Sequence, residues 1–329
     1  MKLLLTGATG FIGSRLGLAA RAGGMDVVVT GQVNNDTERA RLAELEAAGV
    51  TLAVGPLQDA EFARRVVKDC NAVIHLAAAQ HEANVPDSYF HDVNVTGTGT
   101  LLAASREAGV RRFVYGSTIG VYGSAARGVL DEESAPSPQN VYGRTKLAAE
   151  GVVRQFGNSL ETCIIRISET YGPGDYRLLK LFKAIDRGSF AMIGSGENRR
   201  QCIHVNDLVR GLLLAAEHPA APGQTFVMAG HEIMTTREMV AHIAGALGRR
   251  PPRLRAPLWP FLAAAVVLET TLKPLGIQPP LHRRRLDFFR KSFVFATEKA
   301  QNVLAFRPTI AFRDGARETA EWYRARGLL

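Results

Sequence analysis

The sequence predicts an α/β fold built on a doubly wound parallel sheet, and three observations carry that prediction. Short apolar runs alternate with helical patterns along the first half of the chain. A glycine-rich turn, Gly7-Ala8-Thr9-Gly10-Phe11-Ile12-Gly13, stands between the first apolar run and the first helical one. The composition is that of an ordinary globular chain, 46% hydrophobic and 22% charged over 329 residues, long enough for one large or two modest domains. Alternation at this pitch argues a parallel sheet covered on both faces. Ligands of such sheets bind at the carboxyl ends of the strands.

Residues 2–6 (KLLLT) form the first strand. The opening MKLLLTG begins like a signal peptide, but three leucines before a turn are too short an apolar region for one. The glycine turn follows, then a helix through Ala22. Strand, glycine turn and helix form the setting a dinucleotide needs. Glycine lets the backbone approach a pyrophosphate, and the helix N-terminus offers free N–H groups and the positive end of its dipole. A strand over 25–30 leads to Gly31-Gln32-Val33-Asn34. An acid here would bind a ribose 2′-hydroxyl and an arginine would suit a 2′-phosphate. With neither signature, NAD and NADP both stay open.

The alternation continues with a helix over 37–48, a strand over 51–54, a helix over 59–68 and a strand over 72–76 that runs into Ala77-Ala78-Ala79. One long helix is predicted over 89–108, then a strand from Arg112 to Tyr115 ending in Gly116-Ser117-Thr118. The next helix carries Tyr142 and Lys146, four residues apart and so on one face. An ammonium beside a phenol favours the phenolate, which predicts a Tyr142 pKa drawn toward neutrality and a group able to exchange a proton with an alcohol. A strand over 161–166 follows, and an aspartate, Asp207, is expected to cap a helix over 208–217.

Three cysteines, Cys70, Cys163 and Cys202, are widely spaced and odd in number, which points to a reducing compartment and no disulfide framework. No C-x-x-C or H-x-x-x-H spacing suggests a metal. The net charge of +9 is concentrated: residues 249–291 hold ten Lys/Arg against Glu269 and Asp287, an excess of eight. No nucleic-acid-binding module accompanies it. The same segment holds Ala256–Leu268 (APLWPFLAAAVVL), thirteen apolar residues where a bilayer span needs about 20. The first reading is a helix capping the substrate cleft with its arginines in solvent. Peripheral contact with an anionic membrane and an anion site are the alternatives.

TGATGFIG at 6–13, HLAAAQ at 75–80, NVTGT at 94–98, YGST at 115–118, YGRTK at 142–146 and YGPGD at 171–175 occur in an order and spacing that resembles the extended short-chain dehydrogenase/reductases, the NAD-dependent epimerase/dehydratase family. The resemblance spans essentially the whole chain. In its C-terminal part it is closest to the 3β-hydroxysteroid dehydrogenase-like and reductase-like branches. It implies a Rossmann domain over 1–165 and a smaller α/β substrate domain over 166–329, with some segments returning to the sheet. It implies Tyr142 as acid/base, Lys146 beside it on the nicotinamide ribose, and Thr118 holding the reacting oxygen. Cofactor contacts are implied at Gly7, Gly10, Phe11, Ile12 and Gly13, at Gln32 and Leu57, and at Leu76, Ala77, Ala78 and Asn94. Ser117, Glu169 and Arg200 are expected at the substrate.

The departures from the family pattern are informative. Pro56 stands where the family has an aspartate, removing a carboxylate and an N–H. Ile119-Gly120 follows Thr118 where the dehydratases carry Asp-Glu, which argues against dehydration. Glu169 replaces the common asparagine and would repel a diphosphate, or else turns away to pair with a neighbouring arginine, whereas Arg200 matches the arginine that holds one. The expected activity is hydride transfer between NAD(P) and a secondary alcohol or its ketone. A nucleotide-sugar 4-epimerase is the alternative, and a non-catalytic dinucleotide-sensing protein is a third reading. The resemblance also implies a homodimer paired through the helices of Thr96–Ala108 and Tyr142–Phe156. The expected location is the cytoplasm, or the inner face of a membrane.

Overall fold

The computed structural model describes residues 1–80, 85–123, 128–272, 281 and 283–329, with the side chains of Arg283, Arg284 and Arg285 left aside. The basic cluster expected at His282–Arg285 therefore lies outside the described side chains. Seven parallel strands form the central sheet: β1 (Lys2–Thr6), β2 (Asp26–Thr30), β3 (Thr51–Ala53), β4 (Ala72–His75), β5 (Arg112–Thr118), β6 (Glu161–Ile167) and β7 (Thr225–Met228). Their spatial order is β7-β6-β5-β4-β1-β2-β3. The order reverses between β1 and β4, which opens a crevice at their carboxyl ends.

Strand sequence follows from burial on both faces. Leu3, Leu4 and Leu5 of β1 are all fully buried, so the strand reads as a continuous apolar run. On one face lie helices α1 (Phe11–Ala22) and α6 (Val205–Glu217), whose Leu16, Ala20, Val209 and Leu212 join Leu3, Leu5 and Val29 in one core. On the other lie α3 (Ala60–Val67), α4 (Gly97–Glu107) and α5 (Val141–Gln155), with Val66, Leu101, Leu102 and Val153 against Leu4, Phe113 and Tyr115. Helix α2 (Asp36–Ala47) follows β2 and is N-capped by Asn35. A smaller core gathers Phe182, Met239, Ile243, Phe312 and Tyr323 from the C-terminal half, with α9 (Phe312–Ala325) crossing it.

One local expectation is refined and another changes. The long helix expected over 89–108 runs without a break from Asp87 to Glu107, with a π-turn at Asp92–Thr96 leading into α4. Asn94, inside that π-turn, turns inward to Ala79 and Thr145, and the Thr98 hydroxyl donates to the Asn94 carbonyl at 2.7 Å. Tertiary partners drawn to one turn explain its widening. Asp207 does not cap its helix. His204 is the N-cap, its Nδ1 accepting from the Asn206 N–H, while Asp207 accepts from the backbone N–H groups of Thr309 and Ile310, each at 2.9 Å. Asp207 thus secures the C-terminal segment to α6.

The catalytic helix candidate α5 is fixed by a buried ion network. Glu150 is fully buried and accepts from Arg166 Nε and Nη2 at 3.1 and 2.9 Å, Ser117 Oγ at 2.6 Å and Arg154 Nη2 at 2.8 Å. Arg166 Nη1 continues to the Tyr122 hydroxyl and the Glu132 carbonyl, both at 3.0 Å. Burial would raise the Glu150 carboxyl, but the Arg166 guanidinium and the other donors hold it below its ordinary value of 4.5. Breaking a buried pair by removing one partner costs about 3–5 kcal/mol. Glu150→Gln is therefore expected to lower unfolding free energy by roughly that amount in urea melts at neutral pH. A carboxyl lowered in the folded state stabilises above the unfolded value and loses that contribution as pH falls through the folded one. The gap between wild type and Glu150→Gln should close in acid; a gap independent of pH would contradict the assignment.

Candidate active site

A cleft of about 520 Å³ opens at the carboxyl ends of the strands. Its floor is the glycine turn. Gly7 has φ +71°, and a Cβ there would sit 2.7 Å from the Ala77 nitrogen. A Cβ on Gly13 would sit 2.2 Å from the Gly7 carbonyl oxygen, so α1 can begin this close to β1 only with glycine at both places. Helix α1 starts after Gly10 with no side-chain cap and no acid in its first turn, which leaves its leading N–H groups for an anion. Phe11 and Ile12 line the cleft beside them. The residues present fit a dinucleotide pyrophosphate.

At the far end the cleft is lined by Gly31, Gln32, Asn34, Glu38 and the stretch Gly55–Gln58, Leu57 included. The missing acid at position 31 has a steric reason: a Cβ on Gly31 would meet the Thr9 hydroxyl at 2.7 Å. Glu38, which the sequence reading missed, brings a carboxylate to this end from the first turn of α2, where it accepts the Asn34 N–H at 2.6 Å. The α2 pattern signalled a helix start there, but only the fold turns that start toward the cleft.

Leu76, Ala77 and Ala78 line the middle of the cleft. They are held from behind by a buried polar chain. The Ala77 N–H donates to Thr6 Oγ1, Thr6 Oγ1 meets His75 Nδ1 at 2.6 Å, and His75 Nε2 meets Thr98 Oγ1 at 2.9 Å. Burial, with the nearby Lys146, pushes His75 down to about 3, so it is neutral and structural. Asn94 differs from its expected role. Its side chain is buried and spent on the Ala79 N–H, the Ala79 carbonyl and the Thr145 hydroxyl. It ties the β4 loop to α5 instead of lining the cleft.

Thr118, Tyr142 and Lys146 are brought to one end of the cleft. Thr118, at the end of β5, accepts the Gly120 N–H at 3.0 Å, and its hydroxyl lies close enough to the Tyr142 phenol to draw that phenol's pKa down. The Tyr142 pKa moves the opposite way from expectation. Burial pushes the phenol up to about 12, against the Thr118 hydrogen bond and the Arg177 guanidinium. Burial also pushes the Lys146 amine down to about 7, opposed by Glu150, and that amine lies 4.1 Å from the Tyr115 ring centroid. Both groups are driven toward neutrality because burial outweighs the opposing charge near each, Arg177 for the phenol and Glu150 for the amine.

The substrate end adds Ser168, Glu169, Thr170 and Arg177. Among the described residues no hydrogen-bond partner meets the buried Ser168 hydroxyl, a donor and acceptor available to a ligand. Ser117 lines the cleft but gives its hydroxyl to Glu150. Arg177 is held by Asp175, its Nε at 3.0 Å from the carboxylate. Arg200 does not line the cleft. It is buried and engaged at all three nitrogens: Nη1 on Glu169 Oε2 at 2.5 Å, Nε on Thr236 Oγ1 at 3.1 Å, Nη2 on the Phe288 carbonyl at 2.5 Å, with its Cζ 4.2 Å from the Phe288 ring centroid. Glu169 and Arg200 thus face each other.

The apolar run of 256–268 forms α7 (Leu258–Leu272), and no described residue of it lines the cleft. The cleft-capping reading is replaced by an outward-facing helix. Nor do the described residues include a group of three or more side chains that could hold a metal.

Residues 3–229 match the NAD dependent epimerase/dehydratase family. The chain is 32% identical to protein y4nL of Sinorhizobium fredii, itself uncharacterized, covering 97% of this chain and 94% of that one. It is 29% identical to a dTDP-glucose 4,6-dehydratase of Streptomyces niveus, covering 98% and 93%. Among solved structures, MoeE5 in complex with UDP-glucose and NAD superposes with a TM-score of 0.76 at 27% identity over 100% of both chains.

Lys146 gives the site a stability signature. Its folded pKa of about 7 lies below its ordinary 10.5, so the buried amine opposes folding most fully below pH 7. That penalty lifts as pH rises from the folded value to the unfolded one. Lys146→Met should therefore melt above the cofactor-free wild type at pH 6, with the difference narrowing across that interval. A variant that melts lower throughout would show that the amine is stabilising.

Proposed function

The chain belongs to the NAD dependent epimerase/dehydratase family, a family of enzymes, and within it we propose that this protein is an oxidoreductase acting on a secondary alcohol, or its ketone, that carries no diphosphate. The observation that carries this reading is the Glu169–Arg200 pair. The arginine placed to hold a diphosphate is already neutralised, and the cleft meets a substrate with the half-exposed Glu169 carboxylate. A phosphate brought there would be repelled.

NAD, when bound, takes or returns a hydride. Tyr142 moves the proton at the substrate oxygen, receiving it during oxidation and giving it back during reduction. Thr118, beside the phenol, holds the same oxygen, and the Arg177 guanidinium favours the phenolate; Lys146, one helical turn from Tyr142, holds the nicotinamide ribose. Ser168 offers its unpartnered hydroxyl to the substrate. Elimination of water would need an acid and a base beside the substrate, and Ile119 and Gly120 supply neither after Thr118. The Glu38 carboxylate supports NAD over NADP, because it would repel a 2′-phosphate at that end of the cleft. We also propose a cytoplasmic homodimer paired through α4 and α5, consistent with three free, buried cysteines.

A second reading, a nucleotide-sugar 4-epimerase, is favoured by the likeness to MoeE5, which was solved with UDP-glucose. The two differ in whether reduced cofactor accumulates. With NAD and a panel of secondary alcohols spanning aliphatic, alicyclic and sterol types, wild type should accumulate NADH. Tyr142→Phe should lose about 10²–10⁴-fold in rate while binding NAD unchanged by calorimetry. An equally active Tyr142→Phe would remove Tyr142 from the chemistry.

A UDP titration separates the readings. Wild type should give no heat with UDP, and Glu169→Gln, which removes the carboxylate from the cleft and leaves the Arg200 charge uncompensated, should bind it measurably. UDP binding to wild type as tightly as to the variant would overturn the proposal in favour of the epimerase.

A further inference from the structure

Helix α7 is apolar from Leu258 through Leu268, yet Ala265 and Glu269 are its only buried residues. A helix apolar on every side ordinarily lies in a core. This one leaves Trp259 72%, Val266 42% and Val267 58% exposed, and Leu254, just before it, 62% exposed. Positions 259, 263, 266, 267 and 270 share one face at helical spacing. The helix is tethered, not loose: Arg255–Ala256 pairs with Met192–Ile193, and the Met192 and Gly194 N–H groups donate to the Leu254 and Ala256 carbonyls at 2.9 and 2.8 Å.

The polar groups of the helix are arranged for an apolar setting. Thr270 donates its hydroxyl to the Val266 and Val267 carbonyls at 3.0 and 2.9 Å, and Thr271 to the Val267 carbonyl at 2.8 Å. Both hydroxyls are satisfied without water. The one carboxylate, Glu269, is buried away from the exposed face. Beside this face the chain is strongly cationic. Arg250, Arg253 and Arg255 are exposed just before the helix, and Arg290 is exposed on α8 (Arg283–Arg290), which packs against α7.

We propose that α7 with its flanking arginines is a docking surface for an anionic lipid leaflet, the helix lying in the plane of the interface. Fifteen residues, too few to span a bilayer, suit a helix that lies along it. Trp259 and Leu254 enter the headgroup boundary, and Arg250, Arg253 and Arg255 meet lipid phosphates. Charge selects the lipid over a second copy of the chain. Residues 249–291 carry ten cations against two anions, and two such segments face to face would repel. Helix α8, which packs against α7, is linked to the substrate end of the cleft, because Arg200, paired with Glu169, donates to the Phe288 carbonyl. This inference stands independently of the proposed reaction.

Vesicle sedimentation tests it with the full chain. Wild type should pellet with phosphatidylglycerol/phosphatidylcholine vesicles, remain in the supernatant with phosphatidylcholine alone, and be released by high salt. In a Trp322→Phe background, Trp259 emission should shift to the blue on binding and be quenched by brominated lipid. Val266→Asp/Val267→Asp and Arg253→Glu/Arg255→Glu should each weaken partition by about tenfold or more, with circular dichroism and NAD binding unchanged. Failure of wild type to pellet with anionic vesicles would overturn the proposal. So would full binding by Val266→Asp/Val267→Asp, or a lipid-free dimer that this variant dissolves, which would make a second copy the occupant.

Discussion

The Glu150 carboxylate, fully buried between β5, β6 and α5, is the constraint on which the candidate site depends. It binds Ser117 on β5 and Arg166 on β6, and it sits one turn beyond Lys146 on α5. A carboxylate with no access to water must be met by donors from every side. Ser117 and Arg166 come from the two longest neighbouring strands and Arg154 from α5 itself, so satisfying one charge fixes the azimuth and height of α5 over the sheet. Tyr142 and Lys146 inherit their positions from it. Ser117, adjacent to Thr118, is consumed by this structural task, which leaves Thr118 as the hydroxyl that meets the phenol.

Burial governs the chemistry as well as the position. Tyr142 is pushed up to about 12 and Lys146 down to about 7. The chain therefore holds the phenol firmly in its neutral form, while the amine loses its ordinary charge around neutral pH. On the other side of the cleft, His75 is kept neutral between two threonine hydroxyls, and that chain of hydrogen bonds holds the loop at Ala77 against the glycine turn. Gly7, Gly13 and Ala77 are in such close approach that no Cβ can be added at either glycine. Rigidity at one end of the cleft and tuned acidity at the other come from the same feature, a dense sheet buried on both faces.

The C-terminal half supplies a different kind of control. Arg200 reaches Glu169, Thr236 and Phe288 at once, joining β6's outgoing loop, the helix after Thr235 and α8. One guanidinium thereby couples the substrate end of the cleft to the basic and apolar segment of 249–291. A buried guanidinium already paired with a carboxylate is a poor anion receptor and a good structural bolt, which is why its presence in the sequence and its availability to a ligand are separate questions.

The strand-by-strand alternation, the glycine turn and the Tyr142–Lys146 spacing were legible in the sequence because each is a local pattern. Periodicity reports burial on a strand or helix, and glycine reports a backbone that must pass close to something. The family membership was legible for the same reason, as six short motifs in fixed order. What only the tertiary structure decided were contacts between residues far apart in the chain. Glu169 meets Arg200 across 31 residues, Asn94 meets Thr145 across 51, and Asp207 secures Thr309 across 102. A sequence can announce that an arginine and a glutamate exist. Whether they neutralise each other or both face a ligand depends on the path of the chain between them. The same holds for 256–268: its apolarity was plain, but its facing outward, away from the cleft, is set by the pairing of Arg255–Ala256 with Met192–Ile193.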